Sequence, residues 1–140
     1  MKFEWFCAYV ESLLGQLWGS PARADDDGDW PFRQGTAACR VAVRPEPRWR
    51  VEVFGHAAFE VKQSARLLRE LNEANAHLLD GRIYWREDVV LVATSIEADR
   101  VDGEALARAC MGVGSTADDL GALLAAMFDG RTPFPAELGA

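Results

Sequence analysis

The sequence predicts an α+β domain in which one antiparallel five-stranded sheet is packed by helices. Three segments have apolar residues at a helical period, namely 2–18, 63–79 and 103–128. Between the first two helices lie three strand-like segments, two of which alternate apolar and polar residues, and two more strand-like segments follow the second helix. The predicted order is therefore α-β-β-β-α-β-β-α.

The length fits one domain with a core of its own, because 140 residues can bury roughly two thirds of the surface of the unfolded chain. The apolar content of 49% and the charged content of 26% are those of an ordinary globular domain. We find no internal repeat and no low-complexity tract. We predict a single domain over residues 1–130, followed by a C-terminal tail over 131–140.

The first helix is predicted over residues 2–18. One apolar stripe runs along it, flanked by further aromatic and apolar side chains. The stripe consists of Phe3, Phe6, Val10, Leu13 and Leu17, and its flanks of Trp5, Tyr9, Leu14 and Trp18. Such a helix is too apolar to stand free, so we expect it to dock on the domain or on a partner.

Three strands are predicted next. Pro31 confines the strand 30–33 to a sheet edge, because proline has no backbone N–H to donate. Segments 37–44 and 48–54 alternate with period two, which is typical of a hairpin with one buried face. The other face would carry Arg40, Arg44, Arg48 and Arg50.

The second helix, 63–79, is predicted to end before a cap glycine, Gly81. Its buried side would carry Leu67, Leu68, Leu71, Asn72, Asn75, Leu78 and Leu79. Segments 82–86 and 89–96 then form a second hairpin. The continuous apolar run 89–93 predicts a central strand that is covered on both faces.

The third helix is predicted to begin after Asp102 as N-cap and to end near Phe128. We expect Gly112 and Gly114 to break or bend it, and a capping box from Ser115 to Asp118 to restart it. The predicted core comprises Val41, Val51, Val53, Leu68, Leu71, Ile83, Val90, Val92, Leu106, Leu120, Leu124 and Phe128.

Charge and cysteine usage bound the function. A net charge of −7 argues against general nucleic-acid binding, which needs a basic surface. The three cysteines show no paired spacing, so we expect reduced thiols and a cytoplasmic protein. Glu4 and Glu11 interrupt the first apolar stretch, which argues against both a signal peptide and a membrane span.

Several motifs resemble sites but lack essential parts. The acidic run 25–29 does not have the ligand spacing of a calcium loop, and the glycines before Ser115 lack a phosphate-binding lysine. His56 and His77 have no nucleophile to serve. Asp118 and Asp119 would point about 100° apart on a helix, so they cannot share one site. We therefore predict no metal, no cofactor and no catalytic activity.

Two groups of polar residues have alternative interpretations. Asn72 and Asn75 are unusual in a helix, and they would either bond the backbone of the neighbouring hairpin or present amides to an extended peptide. Arg40, Arg44, Arg48 and Arg50 would either pair with Glu52 and solvent, or form a positive patch that binds acidic segments.

The local sequences LNEANAHL, GRIYW and ADDLGALLAAMFDG, together with the predicted order of elements, resemble YbjN-type domains of the type III secretion chaperone-like superfamily. The resemblance covers nearly the whole chain, to about Gly130. It implies a non-catalytic, often dimeric scaffold that holds peptide segments of partner proteins. It implies no active site.

Two functions remain open at this point. The first is a peptide-binding, chaperone-like protein that binds through the edge strand 30–33 and the aromatic residues of the first helix, Trp5 and Tyr9 with Phe3 and Phe6. The second is a regulatory or sensory protein that reads a partner or a small ligand. We also expect a homodimer, because Trp5, Trp18, Trp49, Trp85 and the first helix offer more apolar surface than one small sheet covers.

Overall fold

The computed structural model describes residues 1–136. Its elements follow the predicted order: α1 Phe3–Trp18, β1 Trp30–Gln34, β2 Ala37–Arg44, β3 Arg50–Ala58, α2 Ala65–His77, β4 Arg82–Arg86, β5 Val89–Glu97 and α3 Gly103–Met127, with a short 3-10 helix, Ala98–Arg100, before α3. All five strands are antiparallel, in the order β1-β2-β3-β5-β4. The predicted α+β architecture is confirmed.

The sheet has one face covered by helices, which we call the inner face. Val41, Val51 and Val53 lie there and are fully buried. A Cβ atom on Gly55 would lie 3.2 Å from the Cβ of Ala117, so α3 packs directly on β3 at this glycine. The alternating residues, such as Arg40, Glu52 and Tyr84, lie on the opposite, outer face.

Helix α1 docks through Phe6, Val10 and Leu14, which are at most 3% exposed. The ring of Trp49 stacks on Phe6 at a centroid distance of 6.1 Å and anchors the start of the helix to the sheet. The predicted stripe was wrong at its end: Leu17 is 39% exposed and Leu14 takes its place. Because four residues turn the helix by about 400°, this buried row drifts by about 40° around the helix at each step.

Helix α3 is continuous, so the predicted break at Gly112 and Gly114 was wrong. A Cβ on Gly114 would approach the Cβ of Gln34 to 2.9 Å, whereas one on Gly112 would meet nothing within 4 Å. Gly114 therefore serves the close contact between α3 and β1. The ends of the helix agree with the prediction, since Asp102 caps the N-terminus by accepting a hydrogen bond from the Ala105 amide at 2.8 Å.

Helix α2 corrects the predicted core. Leu67 and Leu71 are buried, but Leu68 is 45% exposed. The helix ends at His77, before Leu79, which is 98% exposed and belongs to the turn. Gly81 is not the cap of this helix. It directly precedes β4 and lies close to β5, where a Cβ atom on it would come within 2.6 Å of the Ala93 carbonyl oxygen.

The remaining predicted core residues are buried, except that Leu120 and Phe128 pack at its rim and are partly exposed. Strand β5 is an interior strand between β3 and β4, but the expectation that it is covered on both faces was wrong. The helices cover one face, and Leu91 is partly exposed on the other.

The chain after α3 returns to the sheet. Phe59 and Arg131 exchange two backbone hydrogen bonds, of 2.7 and 3.0 Å, and the amide of Phe134 donates to the Thr36 carbonyl at 3.1 Å. Residues 131–136 of the predicted tail thus contact the domain, and 137–140 lie outside the described residues. Within residues 1–136, no helix is long and apolar enough to span a membrane.

Candidate peptide-binding surfaces

The exposed side of α1 carries an aromatic pair. Trp5 is 61% exposed and Tyr9, one helical turn later, is 42% exposed. The ammonium group of Lys2 lies 5.6 Å from the centroid of the Trp5 ring. The Tyr9 hydroxyl donates to the Val101 carbonyl at 3.3 Å, which fixes the ring beside the start of α3. The pair is a rigid apolar surface of the kind that anchors peptides.

The opposite side of α1 is closed against the first strand. The Trp30 indole donates to the Glu11 carboxylate at 3.2 Å, and the rings of Trp18 and Phe32 lie 5.8 Å apart. Trp5 and Tyr9 therefore do not lie beside β1. Phe3 and Phe6, which we expected to serve as peptide anchors, pack on Trp49 instead.

Among residues 1–136, strand β1 is an edge of the sheet and pairs only with β2. Its outer-face residues Pro31 and Arg33 are exposed, and no other strand of this described part covers its free side. An edge strand can accept a further strand by backbone hydrogen bonding. Pro31 removes one donor from this edge.

The four predicted arginines differ in their surroundings. Arg40 lies 3.4 Å from both Asp25 and Asp27 of the loop before β1, and Arg44 lies 3.6 Å from Glu52. Arg48 was expected on the hairpin face, but β3 begins only at Arg50, so Arg48 lies in the turn and pairs with Glu97 at 3.1 Å.

Arg50 is the exception among them. Its guanidinium donates to the backbone carbonyl of Glu46, and it has no carboxylate within 4 Å among residues 1–136. Three of the four arginines are thus paired with carboxylates, but only Arg44 is paired with the expected Glu52. Of the four, only Arg50 has no carboxylate within 4 Å among residues 1–136.

The two asparagines have different roles. The Asn75 amide nitrogen donates to the Ile83 carbonyl at 2.7 Å, and the Ile83 amide donates to the Asn75 side-chain oxygen at 2.8 Å. Asn75 therefore bonds the backbone of the neighbouring hairpin, the first of the two interpretations. Asn72 is exposed on the solvent side of α2, which contradicts its predicted place on the buried side.

One structural contact near these surfaces was missed from the sequence. The Asp118 carboxylate accepts hydrogen bonds from the Thr36 amide at 2.7 Å and from the Thr36 hydroxyl at 2.8 Å. It lies directly over Gly35, where a Cβ would come within 2.3 Å of its oxygens. Asp118 therefore ties α3 to the β1–β2 turn, and the expected restart of a helix at this position does not occur.

Buried titratable groups are few. Burial raises the pKa of the Cys39 thiol to about 12, with the charge of Asp118 contributing. Burial also raises the pKa of the Cys110 thiol to about 12, and the neighbouring Cys39 adds to this. On the outer face, burial and the charge of Arg40 lower the pKa of His56, while a backbone hydrogen bond to Ala38 opposes them.

A groove of about 890 Å³ opens between the first half of α3 and the end of α2. Small residues of α3 form one wall, the turn around Leu79 forms the other, and Thr94 and Ile96 of the inner face form the floor. Its charged lining is mixed in sign. Among residues 1–136, no three His, Cys, Asp or Glu side chains come together in an arrangement that could hold a metal ion.

The family of the chain follows from comparison with known proteins. Residues 4–136 match the family described as T3SS (YopN, CesT) and YbjN peptide-binding chaperone 1. Because the match spans nearly all of the chain, the protein belongs to this family. No curated protein matches the chain significantly.

Solved structures share the fold at low sequence identity. The ExsC–ExsE complex aligns with a TM-score of 0.69 at 17% identity, over 89% of this chain and 97% of that one. The HopA1–SchA chaperone–effector complex aligns with a TM-score of 0.62 at 15% identity, over 80% and 89%. The Yersinia pestis type III secretion chaperone SycH, in complex with a fragment of YscM2, aligns with a TM-score of 0.61 at 16% identity, over 82% and 98%.

Proposed function

We propose that this protein is a non-catalytic chaperone that binds an extended segment of a partner protein, and that Trp5 and Tyr9 are its principal anchors. The observation that carries the proposal is the exposure of this aromatic pair, 61% and 42%, on a helix whose other side is firmly docked. An exposed tryptophan ring keeps a large apolar surface in water, and covering it with a partner's apolar side chains is favourable. Family membership and the chaperone–effector complexes among the similar structures support the same function.

The edge strand β1 supplies a second contact in this proposal. Since the free side of β1 lies on the opposite side of α1 from Trp5 and Tyr9, one segment would have to pass over α1 to reach both. Backbone pairing at β1 tolerates many sequences, whereas the aromatic pair selects apolar side chains. A combination of backbone pairing and contacts with apolar side chains suits a protein that holds unfolded segments of a partner.

A random peptide library displayed on phage tests the proposal. We expect the wild-type protein to enrich apolar peptides, and we expect Trp5→Ser/Tyr9→Ser to weaken their binding by about tenfold or more. Leu123→Ser is the matched control, because Leu123 is 54% exposed on α3, and it should leave binding within about twofold. Failure to enrich any peptide, or equal binding by the double variant, would contradict the proposal.

We further propose that the protein is a cytoplasmic homodimer. Its three cysteines are free thiols, as a reducing compartment would keep them. Among the tryptophans first considered for an interface, Trp18, Trp49 and Trp85 pack against the core. Leu68 of α2 and Leu79 of the turn after it are exposed and are the better candidates. Light scattering should give twice the chain mass of 15.4 kDa at micromolar concentrations, and Leu68→Ser/Leu79→Ser should lower it. A single-chain mass for the wild type throughout would refute the dimer.

A further inference from the structure

Among residues 1–136, no helix covers the outer face of the sheet, because the three helices pack on the inner face or against the edge at β4. The loop before β1 and the segment after α3 reach this face at Arg40 and Arg33. At its centre, apolar side chains replace the polar ones that a solvated sheet face normally carries. Phe54, Leu91 and Tyr84 are partly exposed there, and Ala42 and Ala93 fill the space between larger neighbours. The strand register places Tyr84 next to Leu91, and Leu91 next to His56.

The outer face is basic although the chain is acidic. Its strand positions carry six arginines and two glutamates, whereas the whole chain has a net charge of −7. The arginines are Arg33, Arg40, Arg44, Arg50, Arg82 and Arg86, and the glutamates are Glu52 and Glu97. The inner-face strand positions carry no charged residue. The positive charge is thus concentrated around the uncovered apolar centre.

Strand β4 presents the part of this face that is least neutralised. Arg82 and Arg86 are exposed, and neither has a carboxylate within 4 Å among residues 1–136. The Arg82 guanidinium lies 5.4 Å from the centroid of the Tyr84 ring, so Tyr84 stands between two cations on one side of the strand. Arg40 and Arg44, by contrast, already face carboxylates.

We propose that this face binds an extended acidic segment with the pattern Glu-x-Phe-x-Glu. Aspartate can replace either glutamate, and another large apolar residue can replace the phenylalanine. Residues i, i+2 and i+4 of an extended peptide lie on one side, and the outer two are about 13 Å apart. Arg82, Tyr84 and Arg86 have the same spacing. The two carboxylates meet the two guanidinium groups, and the apolar side chain packs on Tyr84 and Leu91.

The inference rests on the proposed function and names the chemical class of its partner segment. A strand added at the β4 edge is disfavoured, because Asn75 already bonds both backbone groups of Ile83. Large polyanions are disfavoured as well, since they would extend past this patch onto the acidic remainder of the chain, whose net charge is −7.

Fluorescence anisotropy with a labelled Glu-x-Phe-x-Glu peptide tests the proposal on the full chain. We expect saturable binding that weakens with salt, and about tenfold weaker binding after Arg82→Gln/Arg86→Gln. A peptide with glutamine for glutamate, and one with serine for phenylalanine, should lose binding to the same degree. Arg100→Gln/Arg108→Gln is the matched control, because both arginines are exposed on the helical side, and it should bind as the wild type does.

Equal binding by Arg82→Gln/Arg86→Gln, or by the glutamine peptide, would overturn the proposal. If library peptides bind through Trp5 and Tyr9 while the acidic peptide does not bind the wild-type protein, the acidic-segment proposal is wrong and the proposed function stands. If the wild-type protein binds neither kind of peptide, both proposals are wrong. Binding of phosphatidylserine vesicles or of a single-stranded oligonucleotide in place of the acidic peptide would overturn it too. Circular dichroism and thermal unfolding of each variant would establish that the fold is unchanged.

Discussion

The side chain of Asn75 pairs with the backbone of Ile83 as a neighbouring strand would, through hydrogen bonds of 2.7 and 2.8 Å. Strand β4 is one of the two edges of the sheet, so Asn75 occupies a position at which another chain could pair. The sheet is left with β1 as its accessible edge. A helix residue thereby determines which end of the sheet is open to a partner strand.

Replacing Asn75 by Leu should therefore destabilise the protein. Both backbone groups of Ile83 would lose their partner, and each unsatisfied buried polar group costs about 1–3 kcal/mol. Asn72→Leu is the matched control, because Asn72 is exposed on the same helix, and it should change the free energy of unfolding by no more than about 0.5 kcal/mol. Urea titration of both variants measures the difference. Equal stability of the two would show that the Ile83 backbone finds other partners.

A second prediction concerns the contact between Asp118 and Thr36. Asp118→Ala removes a charged acceptor of two hydrogen bonds, so it should lower the free energy of unfolding by about 1.5–3 kcal/mol. Asp119→Ala, at the exposed next position, should lower it by less than about 0.5 kcal/mol. Chemical denaturation of the two single variants would decide, and a similar loss in both would mean that helix electrostatics, not the turn contact, is what counts.

The adjacent leucines Leu123 and Leu124 give a third prediction. Leu124 is 1% exposed and Leu123 is 54% exposed, so only Leu124→Ala leaves a cavity in the core. We expect Leu124→Ala to cost about 2–5 kcal/mol, and Leu123→Ala to stay within about 0.5 kcal/mol of the wild type. Thermal or urea unfolding distinguishes them. Comparable losses would mean that α3 turns Leu123 toward the core as much as Leu124.

The fold could be predicted because hydrophobic periodicity determines both the type of each element and its buried side. The alternation in β2 and β3 specified which residues face the helices, and the buried residues Val41, Val51 and Val53 confirm it. Helix phase was less secure. Both Leu67 and Leu68 fit an apolar stripe, but a step of about 100° separates adjacent residues, and only the contact with the sheet decides that Leu67 is buried.

The candidate site was predictable only in part, because contacts between distant segments leave no local pattern. Trp5 and Tyr9 could be named from the first helix, but their separation from β1 depends on how α1 is rotated on the sheet. Gly114 read as a helix breaker, although it serves an approach to Gln34 that lies eighty positions away in sequence. Arg82 and Arg86 were not singled out, because only the three-dimensional structure shows that no carboxylate among residues 1–136 lies within 4 Å of them.

The thiols provide a fourth prediction. With a pKa of about 12, Cys39 and Cys110 are almost entirely protonated near neutral pH, and both are buried. Cys7 is partly exposed, so a thiol reagent such as Ellman's should modify one cysteine in the native protein and all three after unfolding. Cys7→Ser should react only on unfolding. Rapid native reaction of this variant would show that the core opens readily.

The last prediction concerns the pH dependence of stability. The pKa of His56 is lowered in the folded protein by burial and by the charge of Arg40. An unfolded histidine has a pKa near 6.5, so below that pH the unfolded chain binds the proton more tightly than the folded one does. The stabilisation is therefore present above about pH 6.5 and is lost as the pH falls through the lower, folded-state value.

Urea unfolding between pH 7 and pH 5 measures this loss. The wild type should lose more stability over this interval than His56→Gln, which lacks the titrating ring. Both proteins contain the same carboxylates, so the contribution of carboxylate titration cancels in the comparison. His77→Gln, at the exposed end of α2, is the control for replacing a histidine outside the sheet. If His56→Gln and the wild type lose stability in parallel, the folded protein binds a proton at His56 as readily as the unfolded chain does. The outer face around His56 is then more open to water than the packing of Phe54 and Phe59 against its ring indicates.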